Sequence, residues 1–195
     1  MSWADYLADR KHNNLYVDAL VYMPTIKIIR KVAREGDHLL EAGCGSGRSA
    51  MLMCDMGYRV AALDLSLELL ERIRPAKPFF TNLQLVNGDI AHIPFADKVF
   101  KITYSCGVLE HFDPPEIIIY LAEQRRVARY VLVDVPNYRC AQQSYGDERF
   151  YTDEKWQAMF KEAGLNITNT LHRGLDTGKF VGNCSVFLAR DQNDT

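Results

Sequence analysis

The chain has 195 residues, of which 48% are hydrophobic and 25% are charged, and its formal net charge is −2. This length suits one α/β domain with a substantial core and is short for two domains. The near-neutral balance excludes a broadly basic chain of the kind that binds nucleic acid or an anionic membrane, so we expect neither partner.

The first 35 residues carry apolar positions at helical spacing and are predicted to form a helical cap, residues 1–35, in which Pro24 begins a new helix. Over residues 36–190, strand-like and helix-like segments alternate, which is typical of a mostly parallel sheet with helices on both faces. The polar end, residues 191–195, is predicted to be a flexible tail.

Cap and turn residues place the elements of the alternating region. Ser66, Asp113 and Thr152 are predicted helix N-caps, and Gly57 and Gly164 are predicted helix stops. A loop over 174–178 is predicted between the last two strands. The predicted strands lie at 38–42, 59–63, 83–86, 99–105, 130–135, 165–172 and 180–189.

The cysteines are few and scattered, and no two of them have the Cys-x-x-Cys spacing of zinc or redox sites, so the sequence predicts no metal centre. An odd, dispersed set of cysteines is typical of reduced thiols. No signal-peptide pattern and no apolar run of roughly 20 residues is present. We therefore expect a cytoplasmic protein without a membrane segment, monomeric or homodimeric. The cysteines are Cys44, Cys54, Cys106, Cys140 and Cys184.

The strongest functional signal is the stretch E-A-G-C-G-S-G at residues 41–47, between a predicted strand and a predicted helix. Glycines there let a ligand approach the backbone closely. Asp64, at the end of the second strand, can accept hydrogen bonds from ribose hydroxyls. The spacing argues against a dinucleotide, because G-x-G-x-x-G would require glycine where the chain has Arg48. Glu41 would repel a pyrophosphate and attract the cationic S-adenosylmethionine. A glycine turn without a ligand is the alternative.

Four motifs in chain order resemble the class I S-adenosylmethionine-dependent methyltransferases of the small-molecule, type 11/12-like group. The resemblance covers about residues 36–165. It implies a Rossmann-like sheet of seven strands, mostly parallel with an antiparallel last strand, and S-adenosylmethionine as the cofactor. The implied reaction is methyl transfer to an oxygen, nitrogen or carbon atom of a small-molecule acceptor. The motifs are the loop at 41–47, L-D-L-S at 63–66, G-D-I at 88–90 and S-C-G-V-L-E-H-F at 105–112.

The resemblance also implies a role for each matching position. The loop glycines would hold the methionine part of the cofactor through the backbone, Asp64 would hold the ribose, and Leu65 would lie against the adenine. Asp89 would accept from the adenine amine, and the Ile90 amide would donate to the ring. The Cys106 carbonyl would accept from the cofactor ammonium. The predicted cofactor-binding residues are Glu41, Gly43, Cys44, Gly45, Gly47, Asp64, Leu65, Asp89, Ile90 and Cys106.

The sequence gives less information about the residues that bind the methyl acceptor. His111 is the candidate general base, because an imidazole titrates near neutrality, although it could instead only support its loop. The acceptor should lie beyond the carboxyl ends of the strands, within reach of the connection 137–151. Methylation of a protein or RNA and a non-catalytic cofactor-binding module remain open alternatives. The predicted acceptor-lining residues are Tyr138, Tyr145, Arg149 and Tyr151.

Overall fold

A computed structural model describes residues 15–140, 146–176 and 181–193. Short 3-10 turns at Arg74–Phe79 and Leu109–His111 supplement the main elements. The helices are α1 (Leu15–Val32), α2 (Arg48–Asp55), α3 (Leu67–Ile73), α4 (Pro114–Val127) and α5 (Asp153–Glu162). The strands are β1 (His38–Ala42), β2 (Arg59–Asp64), β3 (Leu83–Asn87), β4 (Phe100–Cys106), β5 (Ala128–Pro136), β6 (Leu165–Asp176) and β7 (Val181–Asp191).

All seven strands form one sheet in the order β3-β2-β1-β4-β5-β7-β6. Strands β1 to β5 are all parallel to one another, and β7 lies antiparallel between β5 and β6. The predicted α/β, Rossmann-like sheet with an antiparallel last strand is therefore confirmed. The chain reverses its direction of winding between β1 and β4, so the carboxyl ends of these two strands open the crevice in which such sheets bind ligands.

Helix α1 is continuous through Pro24, and the prediction that a new helix begins there is wrong. Proline removes one hydrogen bond of the helix and crowds the preceding turn. The turn that follows is buried, with Ile28 and Ile29 both in the core, and this packing stabilises the helix across the defect. Gly36, at φ +86°, then turns the chain into β1.

The cap predictions are confirmed at three helices. Ser66 accepts from the Leu69 amide at 3.3 Å, and Thr152 accepts from the Lys155 amide at 3.3 Å. Asp113 forms a capping box at the start of α4. These short-range bonds set where α3, α4 and α5 begin.

The predicted loop at 174–178 begins too early, because β6 continues to Asp176 and Gly174 pairs with Asn183. Strand β5 ends its pairing at Pro136, opposite Cys184. Beyond that point β6 and β7 satisfy each other's backbone groups as a two-stranded extension. This extension projects past the carboxyl end of β5.

The core divides between the two faces of the sheet. Leu39 packs in the cluster that α1 and α2 cover, whereas its neighbour Leu40 packs with Phe100 in a separate cluster on the other face, as the period of two requires. Trp156 of α5 packs against Phe187 of β7 in a third cluster. No helix within the described ranges is long and apolar enough to cross a membrane.

Candidate functional site

The glycine loop joins β1 to α2 by a turn that only glycine accommodates at its first position. The amides of Gly43 and Cys44 both donate to the Leu63 carbonyl at 2.9 Å. Gly43 has φ +80°, and a Cβ there would lie 2.8 Å from Cγ2 of Val108. Gly47, at φ +70°, is the N-cap of α2 and offers no side-chain acceptor to the first turn of that helix. The loop therefore presents bare backbone at the crevice.

Asp64 lies against this loop. Its Oδ2 accepts from the Gly45 amide at 2.8 Å, and its Oδ1 accepts from the Ser66 amide at 2.9 Å. Each carboxylate oxygen can accept a further hydrogen bond, so the group can still receive ribose hydroxyls. The structure thus brings together the two features on which the sequence argument rested, and it fixes the carboxylate with backbone donors.

The surface at the ends of β2 and β3 includes a polar residue that the sequence analysis did not single out. Asn87, at the end of β3, donates from Nδ2 to the Leu65 carbonyl at 2.9 Å and to the Asp64 carbonyl at 3.1 Å. The Leu65 side chain is exposed. A polar residue at the end of a strand that neighbours β2 was the available sequence signal.

The turn after β3 is hydrogen-bonded to the end of β2, because the Gly88 amide donates to the Asp64 carbonyl at 3.1 Å. Asp89 is exposed, and its Oδ1 accepts from the Ala91 amide at 2.8 Å. Ile90 is half-buried against the α4–α5 side of the core. The predicted adenine-binding turn therefore lies beside the end of β2.

Glu41 is buried, and the Tyr104 hydroxyl donates to its Oε2 at 3.3 Å. Burial raises the pKa of Glu41 to about 8, and the Tyr104 hydrogen bond opposes this rise. The neutral form is thus favoured at neutral pH, whereas the sequence argument assumed a charged group. A cation brought within reach would favour the ionised form again.

Cys44 is buried and Cys106 is partly buried. Burial raises the pKa of both, so neither is an activated nucleophile. None of the five cysteines of the chain, all in the described part, forms a disulfide. Over the same ranges no group of three or more His, Cys, Asp or Glu residues is arranged to hold a metal ion.

A buried charge pair lies next to Cys106, and sequence reasoning missed it. Asp134 of β5 is paired in register with Cys106 of β4. It accepts from Thr25 Oγ1 of α1 at 2.8 Å and from Arg173 Nη2 of β6 at 3.2 Å. Burial raises the pKa of Asp134, and the Arg173 charge opposes the rise. A carboxylate within the apolar run of β5 was the available signal.

The segment after β4 contains the predicted base and a second buried carboxyl. Glu110 is buried, its Oε2 has no partner among the described residues, and burial raises its pKa to about 8. His111 Nδ1 lies 2.5 Å from Asp147 Oδ1, and its Nε2 lies 4.0 Å from Glu110 Oε1. Asp147 belongs to the connection after β5 and was not predicted.

Arg149 fastens that connection to the segment after β4. Its backbone amide donates to the Glu110 carbonyl at 2.8 Å, and its Nη1 donates to the His111 carbonyl at 2.6 Å. Its Nε forms an ion pair with Asp113 Oδ1 at 3.0 Å. In this structure Arg149 therefore supports the surroundings of His111, and its predicted contact with an acceptor stays a prediction.

The predicted tyrosines are placed differently from one another. The Tyr151 hydroxyl donates to the Phe112 carbonyl at 3.3 Å, which ties a second point of the connection to the same segment. Tyr138 is exposed and accepts from Arg139 Nε at 3.0 Å. Tyr145 lies outside the described residues. Their role in lining an acceptor site remains a prediction.

Comparison with known proteins agrees with this geometry. Residues 40–133 match the model of a protein family described as a methyltransferase domain. A probable S-adenosylmethionine-dependent methyltransferase of Mycolicibacterium smegmatis is 29% identical over 103 residues, 52% of this chain and 39% of that protein. A demethylmenaquinone methyltransferase of Renibacterium salmoninarum is 31% identical over 121 residues, 62% of this chain and 44% of that protein. The match thus spans less than half the length of these curated relatives.

A solved structure shares the fold over nearly the whole chain. It is the 1,6-didemethyltoxoflavin-N1-methyltransferase of Burkholderia thailandensis, with bound 1,6-didemethyltoxoflavin and S-adenosylhomocysteine. Its TM-score is 0.78 at 18% identity, and the alignment covers 98% of this chain and 87% of that one. At this identity the likeness concerns the fold, and it extends to α1 and to the β6–β7 extension.

Proposed function

Because residues 40–133 match a methyltransferase-domain family and the relatives include a probable S-adenosylmethionine-dependent methyltransferase, we propose that the chain transfers a methyl group from S-adenosylmethionine to an oxygen, nitrogen or carbon atom of a small-molecule acceptor. The observation that carries the proposal is the placement of Asp64, which two backbone amides hold against the glycine loop. S-adenosylmethionine, when bound, supplies an electrophilic methyl group on a sulfonium sulfur.

The residues at the crevice fit this cofactor. A side chain at Gly43 would fill the space that the loop leaves beside Val108, so the loop has the bare backbone that a close ligand requires. Asp64 would hold the ribose, and exposed Leu65 would lie against the adenine. Buried Glu41 lies beside the loop, and a positively charged ligand bound there would favour its ionised form.

The chain's own residues would act mainly by positioning. Methyl transfer needs no proton for the leaving group, so alignment of the acceptor and exclusion of water can supply most of the acceleration. The Thr25–Asp134–Arg173 hydrogen bonds join α1 and β6 to the end of β5. They would hold two walls of the acceptor side in place.

A small-molecule acceptor is supported by the relatives and by the connection after β5. The names of two of the compared proteins refer to demethylmenaquinone and to 1,6-didemethyltoxoflavin, both small molecules. The connection over 137–151 mixes aromatic and polar residues, which suits an organic acceptor. We also propose a cytoplasmic location, supported by five cysteines without a disulfide.

Two measurements test the proposal. Calorimetric titration with S-adenosylmethionine, S-adenosylhomocysteine and NAD should show binding of the first two alone. Incubation with methyl-labelled S-adenosylmethionine and a metabolite extract should then label a small molecule. Binding of NAD alone would overturn the cofactor assignment. Label in protein or RNA would move the acceptor to those classes, and binding without transfer would indicate a non-catalytic module.

A further inference from the structure

The connection after β5 places a carboxylate on the histidine that follows β4. His111 Nδ1 and Asp147 Oδ1 are 2.5 Å apart. The His111 side chain is 10% exposed, whereas that of Asp147 is 53% exposed. The imidazole is therefore largely enclosed by protein, and the carboxylate contacts it from the solvent side.

Neighbouring bonds hold Asp147 in this position. Arg149, two residues further on, binds the carbonyls of both Glu110 and His111. On the other side, the Gly146 amide donates to Glu148 Oε2 at 2.8 Å. The contact between Asp147 and His111 is thus one of several bonds that join the connection to the segment after β4.

The carboxylate selects one form of the imidazole ring. An ionised carboxylate only accepts hydrogen bonds, so in the neutral ring the proton is on Nδ1 and the lone pair is on Nε2. Nε2 is on the side of Glu110, whose Oε1 is 4.0 Å away. Gly107 directly follows Cys106, the last residue of β4. A Cβ on Gly107 would lie 3.5 Å from Glu110 Oε1. Through Glu110, the basic nitrogen is thus linked to the residue that follows the end of β4, where we place the cofactor.

We propose that Asp147 is a positioning residue that holds His111 as the general base for a hydroxyl acceptor, an alcohol or a phenol. This inference rests on the proposed methyltransferase function. It adds the acceptor class and a residue that acts through His111.

The acceptor oxygen bonds to the methyl carbon while its proton passes to Nε2 of His111, and the electron pair of the broken carbon–sulfur bond stays on the sulfur. The imidazolium is stabilised by Asp147 and later releases its proton to water. Hydroxyl groups with a pKa of about 10 or above need such a base, whereas a carboxylate is already ionised at neutral pH.

The chain contains a matched control for the geometry. His172 Nε2 lies 2.5 Å from Asp153 Oδ2, the same separation of nitrogen and oxygen. This pair joins β6 to α5, and its imidazole is 54% exposed, so it has no enclosed second nitrogen. Asp153→Asn therefore removes an equivalent carboxylate charge without reaching His111.

Nitrogen NMR of the full chain labelled with ¹⁵N-histidine tests the positioning without any acceptor. We expect the Nδ1–H form for neutral His111, loss of that preference in Asp147→Asn because an amide can donate as well as accept, and its return in Asp147→Glu. Asp153→Asn should change the His172 signals alone. A proton on Nε2 of His111 in the parent protein, or signals unchanged by Asp147→Asn, would overturn the proposal.

Transfer from ¹³C-methyl S-adenosylmethionine to a metabolite extract tests the acceptor class, because the carbon shift of the product separates O-methyl from N-, S- and C-methyl groups. We expect an O-methyl product. Asp147→Asn should slow its formation at least about tenfold, part of the roughly 10²–10⁴-fold that a general base contributes, with cofactor affinity unchanged. Asp147→Glu should recover part of the rate, and Asp153→Asn should keep all of it.

Each failure has a separate meaning. A methyl group on nitrogen, sulfur or carbon would overturn the hydroxyl acceptor, and an unchanged rate in Asp147→Asn would overturn the positioning role. A parent protein that binds S-adenosylmethionine and transfers no methyl group, or that does not bind it, would instead overturn the proposed function.

Discussion

The two sides of the crevice hold their polar groups by different means. On the side of β1 to β3, Asp64 is held by the backbone amides of Gly45 and Ser66. On the side of β4 to β7, Asp134 is held by the side chains of Thr25 and Arg173. His111 and Asp147 on this second side are likewise joined through side chains.

The side at β1 to β3 therefore depends little on particular side chains around Asp64, whereas the side at β4 to β7 depends on them strongly. Backbone donors exist whatever the side chains are, so the proposed cofactor side, at β1 to β3, can keep its geometry while much of its sequence changes. Side-chain pairs require particular residues from distant segments, such as α1, β5 and β6 for the Asp134 group. The acceptor side can therefore be altered by single substitutions, and such substitutions should also cost it more stability.

The largest expected effect is on the acceptor side, at Asp134. Asp134→Ala leaves the Arg173 guanidinium buried without its partner, and breaking such a pair costs about 3–5 kcal/mol in the free energy of unfolding. Urea denaturation measures this loss. Arg173→Met added to Asp134→Ala should recover part of it. A loss of less than about 1 kcal/mol would show that the side-chain contacts are no more costly to lose than exposed ion pairs.

The second largest effect is expected in the glycine loop. Gly43→Ala places an alanine in the left-handed backbone conformation and brings its Cβ into contact with Val108. A left-handed non-glycine residue costs about 1–2 kcal/mol, and the crowding adds about 1–3 kcal/mol. Thermal unfolding should show the destabilisation, and calorimetry should show weakened cofactor binding. Gly36→Ala is the control, because its φ is +86° and nothing lies within 4 Å of the added Cβ. Equal effects of the two variants would argue against close packing at the loop.

At Asp64 the expected effect concerns binding. Asp64→Ala should weaken S-adenosylmethionine binding by about 1–3 kcal/mol, because the ribose hydroxyls and the Gly45 amide lose their acceptor. Calorimetric titration measures the change. Asp97→Ala, which removes an exposed carboxylate paired with Arg126, should leave the affinity as it was. An unchanged affinity in folded Asp64→Ala protein would contradict the assigned role.

The smallest expected effect compares one buried carboxyl from each side, Glu41 and Glu110. Burial raises each pKa from 4.5 to about 8, so the folded protein keeps a proton that the unfolded chain releases. Stability is therefore highest near and below pH 4.5 as far as these groups are concerned, and it falls as the pH rises towards 8. Between pH 6 and pH 7 each group should cost about 1 kcal/mol.

Denaturation at the two pH values, repeated with Glu41→Gln and Glu110→Gln, measures these contributions separately. Each glutamine should flatten part of the pH dependence. A parent protein whose stability rises from pH 6 to pH 7, with both variants matching it, would contradict the raised pKa values.

Most of the fold, and the local geometry of the proposed cofactor side, could be predicted from the sequence. The loop at 41–47, Asp64 and the N-caps Ser66 and Thr152 depend on turns and hydrogen bonds between residues close in the chain, or on the regular succession of strand and helix. The same logic failed at Pro24, because the local preference for a break was outweighed by burial of the residues after it.

Sequence alone thus predicted the sheet and the glycine loop, because strand–helix periodicity, caps and the glycine turn act over a few residues each. Only the tertiary structure decided which distant side chains meet: Asp134 with Thr25, 109 positions away, and His111 with Asp147, 36 positions away. Such pairs form only after the sheet has closed the intervening chain into loops, and their strength depends on burial that no short stretch of sequence displays.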